Sequence, residues 1–301
     1  MAKAFQCLTI LKTMNDKYID VYEKRWKFSK GTRDEDILAL EKPKRQVEFF
    51  YNRYNNFISD EIRKIIGNCE NKKLLEIGCG RATSSISQAL RLGINVVPTD
   101  YSEGALKIAR KNLDKYGVNA EARRENLYNL SFEDEFFDVV ISLGVMEHIE
   151  QPERAYREMF RVLKSNGVML SMNVPERPDN IQRIAAPINK VLAKIKEIFG
   201  KREARPWLDK ETRSKTADVY RSELNGREFA KIVRGAGFKN VEAVEVNPFP
   251  TFDPLPEWMD YLAVKIYELI MVLRKIMFIE NNPFVCRQEN SRAHFIVAQK
   301  N

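Results

Sequence analysis

The sequence predicts an α/β protein with a doubly wound, mostly parallel sheet. Two observations support this: from residue 72 onward, apolar runs of strand length alternate with amphipathic helical segments, and the first run ends in a glycine turn. Such alternation is typical of βαβ units, whose right-handed crossovers bring the carboxyl ends of the strands to one edge of the sheet. We therefore expect a ligand to bind along that edge.

The alternation divides the chain into four regions. Residues 1–70 have helical periodicity and form a predicted N-terminal cap or lid, and residues 71–175 form the core. The core elements are predicted in this order: strand 73–77, helix 83–92, strand 94–99, helix 103–116, strand 137–143, helix 152–164 and strand 168–172. Residues 176–222 are predicted to be a basic helical insertion that caps the part of the ligand site where a second substrate would bind. Residues 223–301 complete the sheet with helix 225–236, strand 239–246, an apolar helix at 258–279 and strand 294–299.

The glycine turn after the first strand indicates a nucleotide-like ligand. Gly78 and Gly80 lie between a strand and a helix, where backbone can approach a ligand closely and present N–H groups at a helix start. Asp100 follows Gly80 by 20 residues, at the end of the second apolar run. A carboxylate at that point can accept hydrogen bonds from both ribose hydroxyls of an adenosine. These residues do not choose between NAD and S-adenosylmethionine (SAM).

Glu76 favours SAM. It lies two residues before Gly78, where a dinucleotide-binding strand is normally apolar, and Thr83 occupies the position where the dinucleotide fingerprint has Gly or Ala. A carboxylate beside the turn repels a pyrophosphate by several kcal/mol at an effective dielectric near about 20. The same charge attracts the ammonium and sulfonium groups of SAM.

Three collinear segments resemble the class I SAM-dependent methyltransferases, particularly the group that acts on small molecules. They are LLEIGCG, VVPTDYSEGAL and the stretch from ENLYNL through RVLKSNGVML, and the resemblance covers residues 70–175 well and 223–300 loosely. It implies SAM as the cofactor and a Rossmann-like sheet of seven strands, the last of them antiparallel. The N-terminal extension and the helical insertion after the fifth strand are additions to that core.

The resemblance also implies roles for individual residues. Asp100 would bind the ribose and Tyr101 the adenine ring, while Asn126 and Leu127 would lie at the adenine edge. The family usually has Asp at position 126, but an Asn can still accept through its side-chain oxygen. The full set of implied cofactor contacts is Glu76, Gly78, Cys79, Gly80, Asp100, Tyr101, Asn126, Leu127, Leu143 and Gly144, the last two beside the methionine moiety.

His148 is the candidate base near the predicted reaction centre. A neutral imidazole can take a proton from a hydroxyl as the methyl group arrives, but positioning alone accelerates an in-line displacement, so His148 is either a general base or a residue that only lines the site. We interpret Glu147 and His294 as structural.

Tyr18, Tyr22 and Trp26 recur at helical spacing in the N-terminal region. This stripe either lies over the active site and contacts the acceptor or faces a core.

Two other helical segments could bind partners. Residues 183–202 combine an apolar face with lysines, which fits either peripheral contact with an anionic membrane or packing over the active-site mouth. Residues 258–279 are apolar but carry charges that disfavour a membrane span, which indicates burial within the chain, a homodimer contact or part of a greasy acceptor pocket.

Composition restricts location and partners. There is no signal-peptide pattern, and the four cysteines show neither metal-ligand spacing nor a disulfide framework, so we predict a cytoplasmic protein without a metal site. The formal charge of +8 permits a nucleic-acid partner without requiring one.

The expected activity is methyl transfer to an oxygen or nitrogen atom of a small, amphipathic molecule. The chain lacks both the Asn/Asp-Pro-Pro-aromatic motif after the fourth strand and a suitably placed cysteine, so methylation of nucleic-acid bases is disfavoured. Three alternatives stay open: an RNA- or protein-directed methyltransferase guided by residues 176–222, a catalytically silent SAM-binding subunit, and a nicotinamide oxidoreductase, against which Glu76 and Thr83 argue.

Overall fold

The computed structural model of the protein describes residues 42–175, 180–199, 220–252, 255–278 and 282–301. The predicted stripe of Tyr18, Tyr22 and Trp26 lies outside these residues, as do positions 200–219 of the basic insertion. Within the described part of the chain, no helix is both long and apolar enough to cross a membrane.

Strands and helices alternate as the sequence predicted. The strands are β1 (Lys73–Ile77), β2 (Asn95–Asp100), β3 (Arg123–Arg124), β4 (Phe137–Leu143), β5 (Leu163–Asn173), β6 (Lys239–Val246) and β7 (Ala293–Gln299). The helices are α1 (Gln46–Ile66), α2 (Thr83–Leu92), α3 (Glu103–Lys115), α4 (Pro152–Val162), α5 (Gln182–Phe199), α6 (Gly226–Gly235) and α7 (Glu257–Phe278). Two short 3-10 helices span Met146–His148 and Gln288–Asn290.

The seven strands form one sheet in the order β3-β2-β1-β4-β5-β7-β6. Strand β7 is antiparallel to both β5 and β6, and the other pairings are parallel. The prediction of a mostly parallel, seven-stranded, doubly wound sheet is confirmed. Because β1 is flanked by β2 on one side and β4 on the other, the order switches direction there, and the carboxyl ends of these three strands form a crevice.

Strand β3 was not predicted. It consists of two arginines, and its partners in β2 are Thr99 and Asp100. A pair of charged residues carries no apolar periodicity. The strand therefore forms because it pairs with β2, and its own sequence gives no signal for it.

Helix starts follow local capping chemistry. The Ser102 side chain accepts a hydrogen bond from the Ala105 N–H at the start of α3. Asn225 accepts from the Glu228 N–H at the start of α6, and the Glu228 carboxylate accepts from the Asn225 N–H in return. Each cap satisfies backbone donors that the first helical turn leaves without a partner.

Helices cover both faces of the sheet, as a doubly wound fold requires. Leu74 packs in the cluster that contains α1 and α7, whereas its neighbour Leu75 packs in the cluster that contains α4 and α6. Successive side chains of a strand point to opposite faces, so β1 is buried on both sides.

Helix α7 is less buried than its composition suggests. Val264, Tyr267 and Met271 are buried against the chain, but much of the remaining apolar surface is exposed. Helix α5 likewise exposes Ile184 and Ile188. Packing within the chain therefore buries only one narrow stripe of α7.

Gln46 fastens α1 to α7. It is only 2% exposed, and its Nε2 donates to Asp260 Oδ1 at 2.8 Å and to the Phe252 carbonyl at 3.0 Å. Its Oε1 accepts from the Tyr267 hydroxyl and from the Phe252 N–H, both at 3.1 Å. One buried amide thus satisfies polar groups from both α7 and the loop before it.

We expect Gln46→Ala to lower the free energy of unfolding by about 2–4 kcal/mol, because it leaves buried partners unsatisfied. Urea titration followed by circular dichroism measures the change. The matched control is Val47→Ala, since Val47 is 39% exposed beside it. Equal stability of the two variants would contradict the anchoring role.

Candidate active site

A cavity of about 300 Å³ opens at the carboxyl ends of β1, β2 and β4. Ten of the residues singled out from the sequence line it: Glu76, Gly78, Cys79, Gly80, Asp100, Tyr101, Leu127, Leu143, Gly144 and His148. The fold therefore brings together residues from positions 76 to 148 at the edge where a ligand was expected.

The glycine turn has a left-handed backbone conformation, which favours glycine. Gly78 and Gly80 both have positive φ angles, of 69° and 53°. A Cβ atom on Gly78 would overlap the Cγ2 of Val145, which follows β4. The Cys79 N–H donates to the Thr99 carbonyl at 2.8 Å and so ties the turn to β2. Glycine at 78 thus lets the loops after β1 and β4 approach each other.

Asp100 is held at the end of β2 by two backbone donors. Its Oδ2 accepts from the Gly80 N–H and its Oδ1 from the Ser102 N–H, each at 2.9 Å. Each oxygen of an ionised carboxylate can accept more than one hydrogen bond. The carboxylate is thereby fixed in a cavity wall, in an orientation that can still receive hydroxyl donors from a ligand.

Glu76 links the sheet to the start of α2. Its Oε2 accepts from the Ser85 N–H at 2.8 Å and the Ser85 hydroxyl at 2.6 Å. Helix α2 has no side-chain cap of its own at Ala82, so Glu76 satisfies one of its first backbone donors. Burial, against the opposing effect of the Ser85 hydrogen bonds and with a smaller contribution from Asp100, raises the pKa of Glu76 to about 7.

The cavity wall is rich in carboxylates. Glu76, Asp100, Glu125 and Glu150 line it, against the single cationic side chain of Arg81 among the described lining residues. Such a wall repels a pyrophosphate and attracts a ligand with positive groups.

Asn126 does not line the cavity. Its Oδ1 accepts from the Tyr128 N–H at 3.0 Å, in a turn that continues with an isolated bridge to Asn129. The flanking Glu125 and Leu127 face the cavity instead. A contact between Asn126 and an adenine remains a prediction.

Sequence reasoning missed several lining residues, among them Tyr51 and Tyr128. Tyr51 lies on α1, half-buried, with its ring 6.3 Å from that of Tyr54. Its place in the aromatic run 49–54 was the available signal.

His148 is oriented by the chain just after the basic insertion. Its Nδ1 lies 3.1 Å from the Tyr220 carbonyl oxygen. Because a carbonyl only accepts, Nδ1 carries the proton in this contact, and a neutral ring then has its lone pair on Nε2. The Ser222 N–H also donates to the Glu147 carbonyl at 2.7 Å, so residues 220–222 hold the short helix that carries His148.

Glu147 is buried and does not share this role with His148. It is 3% exposed and its Oε1 accepts from the Val174 N–H at 3.1 Å. Among the described residues, no donor reaches its Oε2. Burial raises its pKa to about 7, opposed by hydrogen bonds and by the Arg221 charge.

His294 lies in the sheet. It is buried in β7, where its Nε2 accepts from Asn173 Nδ2 at 3.2 Å. These contacts agree with its interpretation as structural.

Known proteins resemble the core of this chain. Residues 75–171 match the family described as "Methyltransferase domain". The ubiquinone biosynthesis O-methyltransferase of Ruegeria pomeroyi is 34% identical over 106 residues, which are 35% of this chain and 42% of that protein. The chain spans about half the length of the curated relatives it matches.

Two solved structures share the fold. A protein of Galdieria sulphuraria, provisionally assigned as a sarcosine dimethylglycine methyltransferase, has a TM-score of 0.54 at 14% identity and covers 88% of this chain and 94% of its own. Phosphoethanolamine N-methyltransferase 2 of Haemonchus contortus, solved with SAM, has a TM-score of 0.50 at 16% identity and covers 84% of this chain and 56% of its own. At these identities the likeness shows the fold alone.

We expect Glu147→Gln to raise the melting temperature at pH 8 but not near pH 4.5. The folded-state pKa of about 7 lies above the ordinary value of 4.5, so the protonated carboxyl contributes stability that is complete below 4.5 and lost as pH rises through 7. Glutamine is neutral throughout and keeps an oxygen for Val174. Thermal melts across this range measure the difference.

The control is Glu150→Gln, because Glu150 is exposed and should show no such pH dependence. A melting temperature of Glu147→Gln that tracks the wild type at every pH would rule out a buried, ionising carboxylate.

Proposed function

We propose that this protein, whose residues 75–171 form a class I SAM-dependent methyltransferase domain, moves the methyl group of SAM to an oxygen or nitrogen atom of a small, amphipathic molecule. One observation supports this above the others. The carboxylate-rich wall that suits SAM and the imidazole that suits proton transfer line one cavity.

The residues of the cavity fit SAM. Asp100 is positioned to accept the ribose hydroxyls, and Glu76 supplies negative charge for the ammonium and sulfonium groups. The close approach of Gly78 to Val145 leaves no room for a side chain in the turn where backbone would meet the ligand. Bound SAM would supply a methyl group on a positively charged sulfur, which an acceptor lone pair can displace in line.

The acceptor would enter beside aromatic and apolar side chains. Tyr51, Tyr128 and Ile149 share the cavity with His148. A mixed aromatic and polar lining suits a molecule with an apolar body and a reactive polar group. The relatives named ubiquinone biosynthesis O-methyltransferase favour a hydroxyl oxygen as the reacting atom.

His148 would act as the base for a hydroxyl acceptor. The Tyr220 carbonyl holds the proton on Nδ1, so Nε2 can accept the proton that the hydroxyl loses as its oxygen bonds to the methyl carbon. The carboxylate of Glu147 accepts a hydrogen bond from the Val174 N–H, so we do not assign it as a second base.

We expect Asp100→Ala to abolish measurable SAM binding and leave the fold intact. Calorimetric titration with SAM, its demethylated product, NAD and NADP measures both affinity and cofactor choice. Asp114→Ala is the matched control, because Asp114 is an exposed aspartate on α3. Normal SAM binding by Asp100→Ala would refute the ribose assignment, and binding of a nicotinamide cofactor by the wild type would refute the proposed function.

We expect His148→Ala to lower turnover on a hydroxyl acceptor by about 10²–10⁴-fold with little change in SAM affinity. His148→Asn places an N–H donor near the Tyr220 carbonyl without a basic nitrogen, so it should keep the melting temperature of the wild type and lose turnover equally. Phenolic and quinol-like molecules are the first acceptors to test, with product detected by mass spectrometry. Full turnover by either variant excludes His148 as the base.

A further inference from the structure

Helix α7 exposes an apolar face along its whole length, which we call the α7 face. Its ten members are between 37% and 70% exposed: Trp258, Tyr261, Leu262, Ile266, Leu269, Ile270, Val272, Leu273, Ile276 and Met277. At 3.6 residues per turn they cover about half of the helix circumference, opposite the buried Val264, Tyr267 and Met271. Within this arc Lys265 is the one charged residue, and it is paired with Glu268 at 2.8 Å.

We propose that the α7 face is an interface between two copies of this chain, with the two α7 helices packed antiparallel about a two-fold axis. Such an axis pairs a surface with itself, so the same face serves both copies.

The size of the α7 face fits a stable dimer. Taking about 150–200 Å² for a fully accessible large side chain, the exposed fractions leave roughly 800–1,100 Å² of apolar surface on each copy. A specific interface buries about 800 Å² per partner, and a single protein rarely leaves a patch larger than about 300–600 Å² uncovered.

The charges along α7 favour the antiparallel arrangement. Its first turn is acidic, with Glu257 and Asp260, and its last turn is basic, with Lys275. Glu257 and Lys275 differ by 18 positions, which is about five turns of 3.6 residues, so they lie on the same side of α7, just outside the arc of the α7 face and at opposite ends of the helix. A two-fold axis in the interface, perpendicular to both helices, leaves these residues of both copies on one side of the dimer and reverses the ends of the helix. Glu257 of each copy would therefore lie at the same end as Lys275 of the other, where their long side chains can approach each other.

The same charges argue against a membrane as the occupant. Helix α7 carries three acidic residues (Glu257, Asp260, Glu268) and three basic ones (Lys265, Arg274, Lys275). A helix that lies on an anionic membrane is instead bordered by lysine and arginine. The charges beside the α7 face are of both signs, Glu257 and Glu268 with Lys265 and Lys275, which suits a second copy of the same face.

The first test is the mass of the full chain in solution. Sedimentation equilibrium between about 0.1 and 50 μM should show a dimer, and Leu269→Glu should weaken it by at least about a hundredfold, because it buries an unpaired charge in the middle of the face. Leu90→Glu is the matched control: Leu90 is 53% exposed on α2, so its variant should dimerise normally. Since Leu269 is 59% exposed, its variant should keep the circular dichroism spectrum and the SAM binding of the wild type.

Charge reversal tests the antiparallel register. Glu257→Lys and Lys275→Glu should each weaken the dimer by about three- to tenfold, as they set like charges against each other. The double variant restores opposite charges at both ends, so it should return to within about twofold of the wild type.

Four outcomes overturn the proposal. A wild type that is monomeric across the concentration range is the first, and a dimer that Leu269→Glu leaves intact is the second. Binding to phosphatidylglycerol vesicles that Leu269→Glu abolishes would assign the face to a membrane. Hydrogen exchange that shows α7 protected in a monomer would assign it to another part of the same chain.

Discussion

The parallel pairing of β1 with both β2 and β4 is the constraint on which the rest of the structure depends. It aligns Ile77 with Thr99 on one side and with Ser142 on the other, so the three strands end together. Thr99 reinforces this edge, because its hydroxyl donates to the Glu76 carbonyl and its own carbonyl accepts from the Cys79 N–H. Most cofactor-side residues of the cavity lie at or just after these strand ends, and Glu125 and Leu127 follow β3 beside them, so a shift of register in β1 would disperse the set.

Burying carboxylates at this edge has a cost in stability. The pKa values of Glu76 and Glu147 are both raised to about 7 by burial, so near neutral pH each is about half protonated in the folded chain. The two acids differ in what they face. Glu76 lines the cavity, where a positively charged ligand would favour the ionised form, whereas Glu147 meets the backbone of Val174 and lies outside the cavity wall. Binding of a positively charged ligand can therefore offset the stability lost by burying Glu76, but not the stability lost by burying Glu147.

Sequence alone predicted the elements that have a strong local signal. Strand β4 and helix α2 have the predicted bounds, because an apolar run and a helical segment that begins after Gly80 and ends at Gly93 are local signals. Strand β3, by contrast, exists through its pairing with Thr99 and Asp100, which no local pattern encodes. The orientation of His148 depends on a carbonyl 72 positions later in the chain, and Tyr51 reaches the cavity because α1 packs on the sheet. Such contacts are set by tertiary packing and leave only weak traces in composition.

Helix α1 connects the two surfaces on which function is proposed. Its buried side packs on α7, where the ring of Phe50 stacks on that of Tyr267 with centroids 6.0 Å apart, and Gln46 ties the two helices together. Tyr51 of the same helix lines the cavity. A helix fixed by packing and by a buried amide can position such a side chain with little freedom. Any partner that immobilises α7 would therefore also steady the acceptor wall, because α1 has few ways to move independently of it.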